Sequence, residues 1–193
     1  RMNMSVDMAL VKKLREQTGV SILECKKAIA ASENDFDKAV ELLRKKGYEK
    51  AKNKASRATN QGAIGSYIHS NGKIGVLLEL GCETDFVAKN EDFKLLIKDI
   101  SMQIAAMNPK YISETDIPAE VIEKEKEIYR EQMKNSGKPD NIIEKIIEGK
   151  LKKYYTEICL LHQAFFKEDS KTIENLIAEK IQKLGENITV KRF

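Results

Sequence analysis

Apolar residues recur three and four positions apart along most of this chain, and switch to short alternating or continuous runs only in a few places. In "MALVKKLREQTG", Leu10, Val11 and Leu14 share one helical face, and Gly19 supplies a stop. "SILECKKAIAAS" follows, with Ser21 and Glu24 at the spacing of a capping box. Asn34 or Asp35 can cap a third helix, "FDKAVELLRKKG", which turns Phe36, Ala39, Val40, Leu42 and Leu43 inward and is expected to end at Gly47. The period then changes. "GAIGSYIH", the turn "SNGK" and "IGVLLELGCE" predict a β-hairpin around Asn71-Gly72. Asn90 can cap an amphipathic helix with the stripe Phe93, Leu96, Ile97, Ile100, Ile104 and Met107, stopped by Asn108-Pro109.

Further along, Pro118 can open a charge-laced helix reaching Met133, and "SGKP" (136–139) separates it from a shorter one, "NIIEKIIEG". "EICLLHQAFF" reads as a mostly buried strand, "TIENLIAEKIQKLG" as an amphipathic helix and "NITVKRF" as a closing strand. Strands and helices mix without a βαβ repeat, so the fold class is α+β with a small antiparallel sheet. Three segments are expected. Residues 1–47 form a three-helix bundle of the size of ubiquitin-associated (UBA-like) modules, 48–61 a basic connector, and 62–193 an α+β core.

Composition narrows the function classes. Hydrophobic residues make up 41% of the 193 and charged residues 33%, a balance that suits a soluble, helix-rich protein. No window approaches the roughly 18 apolar residues of a membrane span. The N-terminus lacks the apolar stretch of a secretory signal, and Arg1 ahead of Met2 is expected to be an expression remnant. Cys25, Cys82 and Cys159 are odd in number and widely spaced, which argues for a reducing cytoplasm and against a disulfide framework or zinc site. The net charge of +4 is uneven: residues 1–60 hold 14 Lys and Arg against 8 Asp and Glu. That excess peaks in "RKKGYEKAKNKASR" (44–57), which could track phosphates or form a solvated helix. No aromatic platform is interleaved with it.

The chain carries no phosphate-binding glycine loop, no dinucleotide fingerprint and no nucleophile elbow. Glu83 and Asp85 would share a strand face and could touch a cation, but two carboxylates make a weak metal site. His162 reads as a core histidine and His69 as solvent-facing. The expectation is a protein that binds macromolecules, with no catalytic residues, cofactor or metal of its own. One stretch stands out: "TDFVAKN", where an Asp-Phe pair sits at the mouth of a strand. Asp85 could cap a turn of helix with Phe86 filling the core. Alternatively the two could form a wedge presented on a loop held by rigid neighbours.

Four stretches carry a resemblance: "TDFVAKNEDF", "LREQTGVSILECKKAI", "GKPDNIIEKIIEGKLKKYY" and "KLGENITVKRF". They are collinear over nearly the whole chain, which resembles the short form of the bacterial elongation factor Ts family, the guanine-nucleotide exchange factors of elongation factor Tu. The resemblance implies a magnesium-dislocating motif at Thr84, Asp85, Phe86 and Val87. It implies partner contacts at Arg15, Ile22, Leu23 and Lys26 in the bundle, and at His69, Leu184 and Gly185 elsewhere. It further implies a cytoplasmic homodimer that binds two copies of elongation factor Tu, with no direct role for nucleic acid or membrane. A different reading makes the chain an RNA- or ribosome-associated module using residues 44–57.

Overall fold

The computed structural model describes residues 6–134 and 136–193; Arg1 and Met2 lie outside them. Three helices open the chain: α1 (Met8–Thr18), α2 (Ile22–Ala31) and α3 (Phe36–Lys54). The Asp7 side chain caps α1, Ser21 caps α2 and Asp35 caps α3, each accepting from backbone N–H groups that the first turn leaves without partners. Ser21 makes only half of the expected capping box. Glu24 instead faces Lys46 and Lys50 on α3, both at 3.8 Å. Val11, Leu14, Val20, Cys25, Ala28, Ile29, Ala39 and Leu43 close a small core between the three helices.

Gly47 does not end the third helix. It lies inside α3, buried where the helix presses on the core, and a β-carbon there would sit 2.5 Å from Oε1 of Gln182. A glycine flanked by good helix formers (Lys45, Lys46, Glu49) costs only about 1 kcal/mol of propensity, which burial against a neighbour offsets. The first half of the expected connector is therefore helical.

The core begins with strands β1 (Gln61–Ile68) and β2 (Gly75–Cys82), paired antiparallel from Gln61↔Cys82 to Ile68↔Gly75 around the Asn71-Gly72 turn. A four-residue helix α4 (Asp85–Ala88) and the long α5 (Glu91–Met107) follow. The α5 stripe packs on the sheet as its spacing predicts, except Met107, which is exposed at the helix end. Helices α6 (Ala119–Met133) and α7 (Asp140–Ile158) pack against each other as a hairpin; α6 buries no residue. α7 runs straight through Gly149 to Ile158, twice as far as the sequence suggests, because nothing around Gly149 demands a break.

For the same reason "EICLLHQAFF" is not one strand. Its first residues finish α7; Cys159 bridges to Tyr111, Leu160–His162 make a single 3-10 turn, and only Ala164–Phe165 (β3) forms a strand. β3 pairs with β4 (Glu168–Thr172) in a two-stranded ribbon. Buried Gln103 holds this corner, donating to Gln163 Oε1 (3.2 Å) and the Ala164 carbonyl (3.0 Å) and accepting from Phe166 N (2.9 Å). Helix α8 (Ile173–Leu184) and strand β5 (Ile188–Arg192) complete the chain. β5 pairs antiparallel with β2, giving a three-stranded sheet of order β1-β2-β5. Sheet, α5 and α8 share the main core around Leu78, Leu80, Phe93, Ile100, Leu160 and Ile173. The fold is α+β. No described helix is long and apolar enough to cross a membrane.

Candidate functional site

The chain leaves β2 at Cys82 and turns sharply into α4. Thr84, not Asp85, caps this short helix: it adopts extended backbone and its Oγ accepts from Val87 N at 3.4 Å. Asp85 then occupies the first helical position, exposed and paired with Lys89 at 2.8 Å. The hydrogen bond and charge of Lys89 hold the Asp85 carboxyl below the usual carboxylate range. Phe86 does not fill the core. Its ring is 82% exposed, more than any other large apolar residue described, while Val87 and Ala88 turn inward onto the core. Leaving a phenyl ring in water forfeits roughly 1.5–3 kcal/mol of burial. A segment that hides its small apolar residues and shows its largest one invites a partner.

Behind this tip lies a clasp. One oxygen of Glu186 accepts from the backbone N–H groups of Glu83 (3.1 Å) and Thr84 (2.9 Å), and the other from the Thr84 hydroxyl (2.6 Å). Glu83 reciprocates by accepting from Asn187 N at 2.6 Å, and Arg57 lies 3.5 Å away. The Asn187 amide donates to the carbonyls of Arg57 (2.8 Å) and Ala55 (3.4 Å), just beyond α3. Lys54 at the end of α3 donates to the Gly185 carbonyl. Cys82, buried beneath, donates its thiol to the Thr84 carbonyl at 3.1 Å, and burial pushes that thiol's pKa up, away from nucleophilic use. Glu83 and Asp85 thus engage separate partners, and among the described residues no group of three potential ligands could hold a metal.

The structure therefore brings Thr84–Val87 together with Leu184 and Gly185, at the α8–β5 turn. The bundle residues form a second group. Ile22, Leu23 and Lys26 lie exposed on the first turns of α2, with Ile22 and Leu23 at 44% and 59%. Arg15, exposed on the last turn of α1, is near enough for its charge to act on the Cys25 thiol. His69 stands apart. It follows β1 at the hairpin turn, whereas α4 follows β2 at the opposite end, roughly 23 Å of strand away. Its Nδ1 shares a 3.1 Å hydrogen bond with the Tyr67 hydroxyl. Sequence reasoning missed Glu186, Asn187 and Lys89. The first two are ordinary polar residues of a turn, and only the pairing of β5 with β2 carries them to the tip.

The basic run is largely occupied within the protein. Arg44 pairs with Glu168 at 2.9 Å, Lys45 with Glu41 at 2.8 Å, and Lys46 and Lys50 with Glu24.

Bundle and core together present exposed apolar side chains on well-supported ends, and comparison with known proteins places the chain among the bacterial translation elongation factors. The sequence pattern of the family described as Elongation factor TS matches residues 5–192. Elongation factor Ts of Fervidobacterium nodosum is 56% identical over 190 residues, covering 98% of this chain and 96% of that relative. The Thermodesulfovibrio yellowstonii protein of the same name is 58% identical over 190 residues, with coverage of 98% and 94%. That of Geobacter sulfurreducens is 52% identical over 190 residues, covering 98% and 88%. The chain belongs to the elongation factor Ts family.

Proposed function

We propose that this elongation factor promotes release of GDP from elongation factor Tu in the cytoplasm, so that GTP can rebind, without chemistry of its own. One observation carries the reading: Phe86, 82% exposed beside the charged Asp85, projects from a turn braced from behind. In this mechanism the bundle docks through Arg15, Ile22, Leu23 and Lys26. Thr84 and Val87 set the geometry of the tip, and Phe86 enters between helices of the partner. Asp85 approaches the groups that organise the nucleotide's magnesium ion, and the diphosphate loses its grip. Leu184 and Gly185 add contacts beside the tip; His69, at the far end of the hairpin, contributes a separate one.

Energetics favour a distributed device. Factor and nucleotide must weaken each other reciprocally, and a thousandfold effect needs about 4 kcal/mol. Burying one Phe supplies about 1.5–3 kcal/mol, so docking by the bundle and core must hold the wedge in place.

We also propose a homodimer carrying two partner molecules. The outer face of the sheet exposes Ile64, Ile68 and Leu77 side by side in the β1–β2 register, an apolar face suited to a second copy. The RNA-binding alternative draws little support from a basic run whose charges are paired internally. Release of labelled GDP from elongation factor Tu, with and without this protein, tests the proposal. Acceleration at micromolar factor is expected; an unchanged release rate would refute it.

A further inference from the structure

We propose that Glu186 is a positioning residue for the exchange tip. It would act by holding Thr84 and the start of α4 in the one geometry that points Asp85 and Phe86 outward together. The inference rests on the reading of Asp85 and Phe86 as the working tip.

Three observations carry it. First, a single carboxylate receives three donors from two consecutive residues, Glu83 N, Thr84 N and Thr84 Oγ, at 2.6–3.1 Å. These groups have no helical or strand partner to fall back on, because they lie between the end of β2 and the first turn of α4. Hydrogen bonds to an ionised acceptor are about twice as strong as neutral ones, so this set dominates the local geometry. Second, the Thr84 hydroxyl that Glu186 fixes is the same atom that caps α4 at Val87 N. A helix of four residues cannot sustain itself, since its nucleus is unfavourable. Its order depends on its cap, and the cap's rotamer on Glu186. Third, the clasp is reciprocal. Asn187 N returns a hydrogen bond to Glu83, and the Asn187 amide reaches back to the carbonyls of Ala55 and Arg57. Three segments far apart in sequence therefore meet at one carboxylate-centred knot: the exit from α3, the tip and the α8–β5 turn. Glu186 itself need not touch the partner to matter, because it sets the position of the groups that do.

The test follows release of a fluorescent GDP from elongation factor Tu over a range of concentrations of the full chain. Wild type, Glu186→Ala, Glu186→Gln, Thr84→Val and Phe86→Ala are compared, alongside amide hydrogen exchange of residues 83–89 in the free factor. Misplacing a working group by an ångström can cost up to about a hundredfold. Glu186→Ala should therefore lower the maximal exchange rate at least about tenfold, with the half-saturating concentration moving less than about threefold. Glu186→Gln keeps one carbonyl oxygen for the two backbone donors and should stay within about threefold of wild type. Amides of α4 should exchange faster in Glu186→Ala, while those of α5 and α8 stay protected. Thr84→Val should act in the same direction, and the double variant with Glu186→Ala should be no slower than the slower single. If Glu186→Ala does not fold, Thr84→Val and Glu186→Gln carry the test. A wild-type maximal rate in Glu186→Ala, a loss confined to the half-saturating concentration, or equal losses in the Ala and Gln variants would overturn the positioning role. Phe86→Ala separates the two ideas. If it exchanges at full rate, the wedge reading falls and takes this proposal with it; if it is slow while Glu186→Ala is fast, only the positioning role falls.

Discussion

Gly47 on α3 sits against the side chain of Gln182 on α8, so close that a β-carbon would meet Oε1 at 2.5 Å and Cδ at 3.3 Å. This approach joins the bundle to the core, because α3 is one helix whose first half closes the bundle and whose second half lies on α8. A large side chain at Gly47 must displace the Gln182 side chain or part the two helices. Gly47→Leu is expected to destabilise the protein by about 1–3 kcal/mol in urea denaturation. Adding Gln182→Ala should recover part of that loss, and purely additive losses would show that the contact is not the cause.

Phe86→Ala should separate function from stability. The ring touches little of its own protein, so its removal should change unfolding free energy by no more than about 0.5 kcal/mol. GDP release from elongation factor Tu should fall by about tenfold to a hundredfold, the equivalent of one buried phenyl ring. Thermal denaturation and nucleotide release on the same preparation check both halves.

Phe93→Ala is the opposite case. Phe93 is fully buried at the start of α5 and packs in the main core. Its truncation should cost about 3–5 kcal/mol in urea unfolding, with a lower denaturation midpoint and an unchanged slope.

Asp92 ties α5 to α8 through Lys183 (2.8 Å) and Lys180 (3.0 Å). The Lys183 hydrogen bond, aided by Lys180, holds its carboxyl below the ordinary carboxylate value against the opposing effect of burial. A folded value lower than the unfolded one means that this stabilisation is fully present above the unfolded value. It is lost as pH falls through the folded one. Stability should therefore decline below about pH 4, and Asp92→Asn should flatten that acid limb. Urea midpoints measured across it would show no difference if Asp92 were not coupled to folding.

Charge on the outer sheet face should prevent self-association. Leu77→Lys, at a side chain 67% exposed in the described chain, should leave the fold intact and shift sedimentation toward a monomer. A variant that sediments as a dimer would place the interface elsewhere.

Most elements are legible in the order of residues, because each is signalled locally. Ser21, Asp35 and Asn90 cap the helices they precede, Asn71-Gly72 turns the hairpin, and the α5 stripe finds the sheet. Its failures share one cause. Gly47 and Gly149 read locally as breakers, but α3 packs directly at Gly47 and α7 is held by the buried Ile147 and Leu151 on either side of the exposed Gly149, and "EICLLHQAFF" is apolar because it is buried, whatever its backbone does. Family likeness drew attention to Thr84–Val87, but no local signal decides whether a phenylalanine after a strand points in or out. Contacts between segments distant in sequence set that direction. Residues 186 and 187 arrive beside residues 83 and 84 through β5 pairing with β2, and their hydrogen bonds satisfy the turn's backbone groups. With the turn braced in that way, Val87 takes the core position and Phe86 is left facing water.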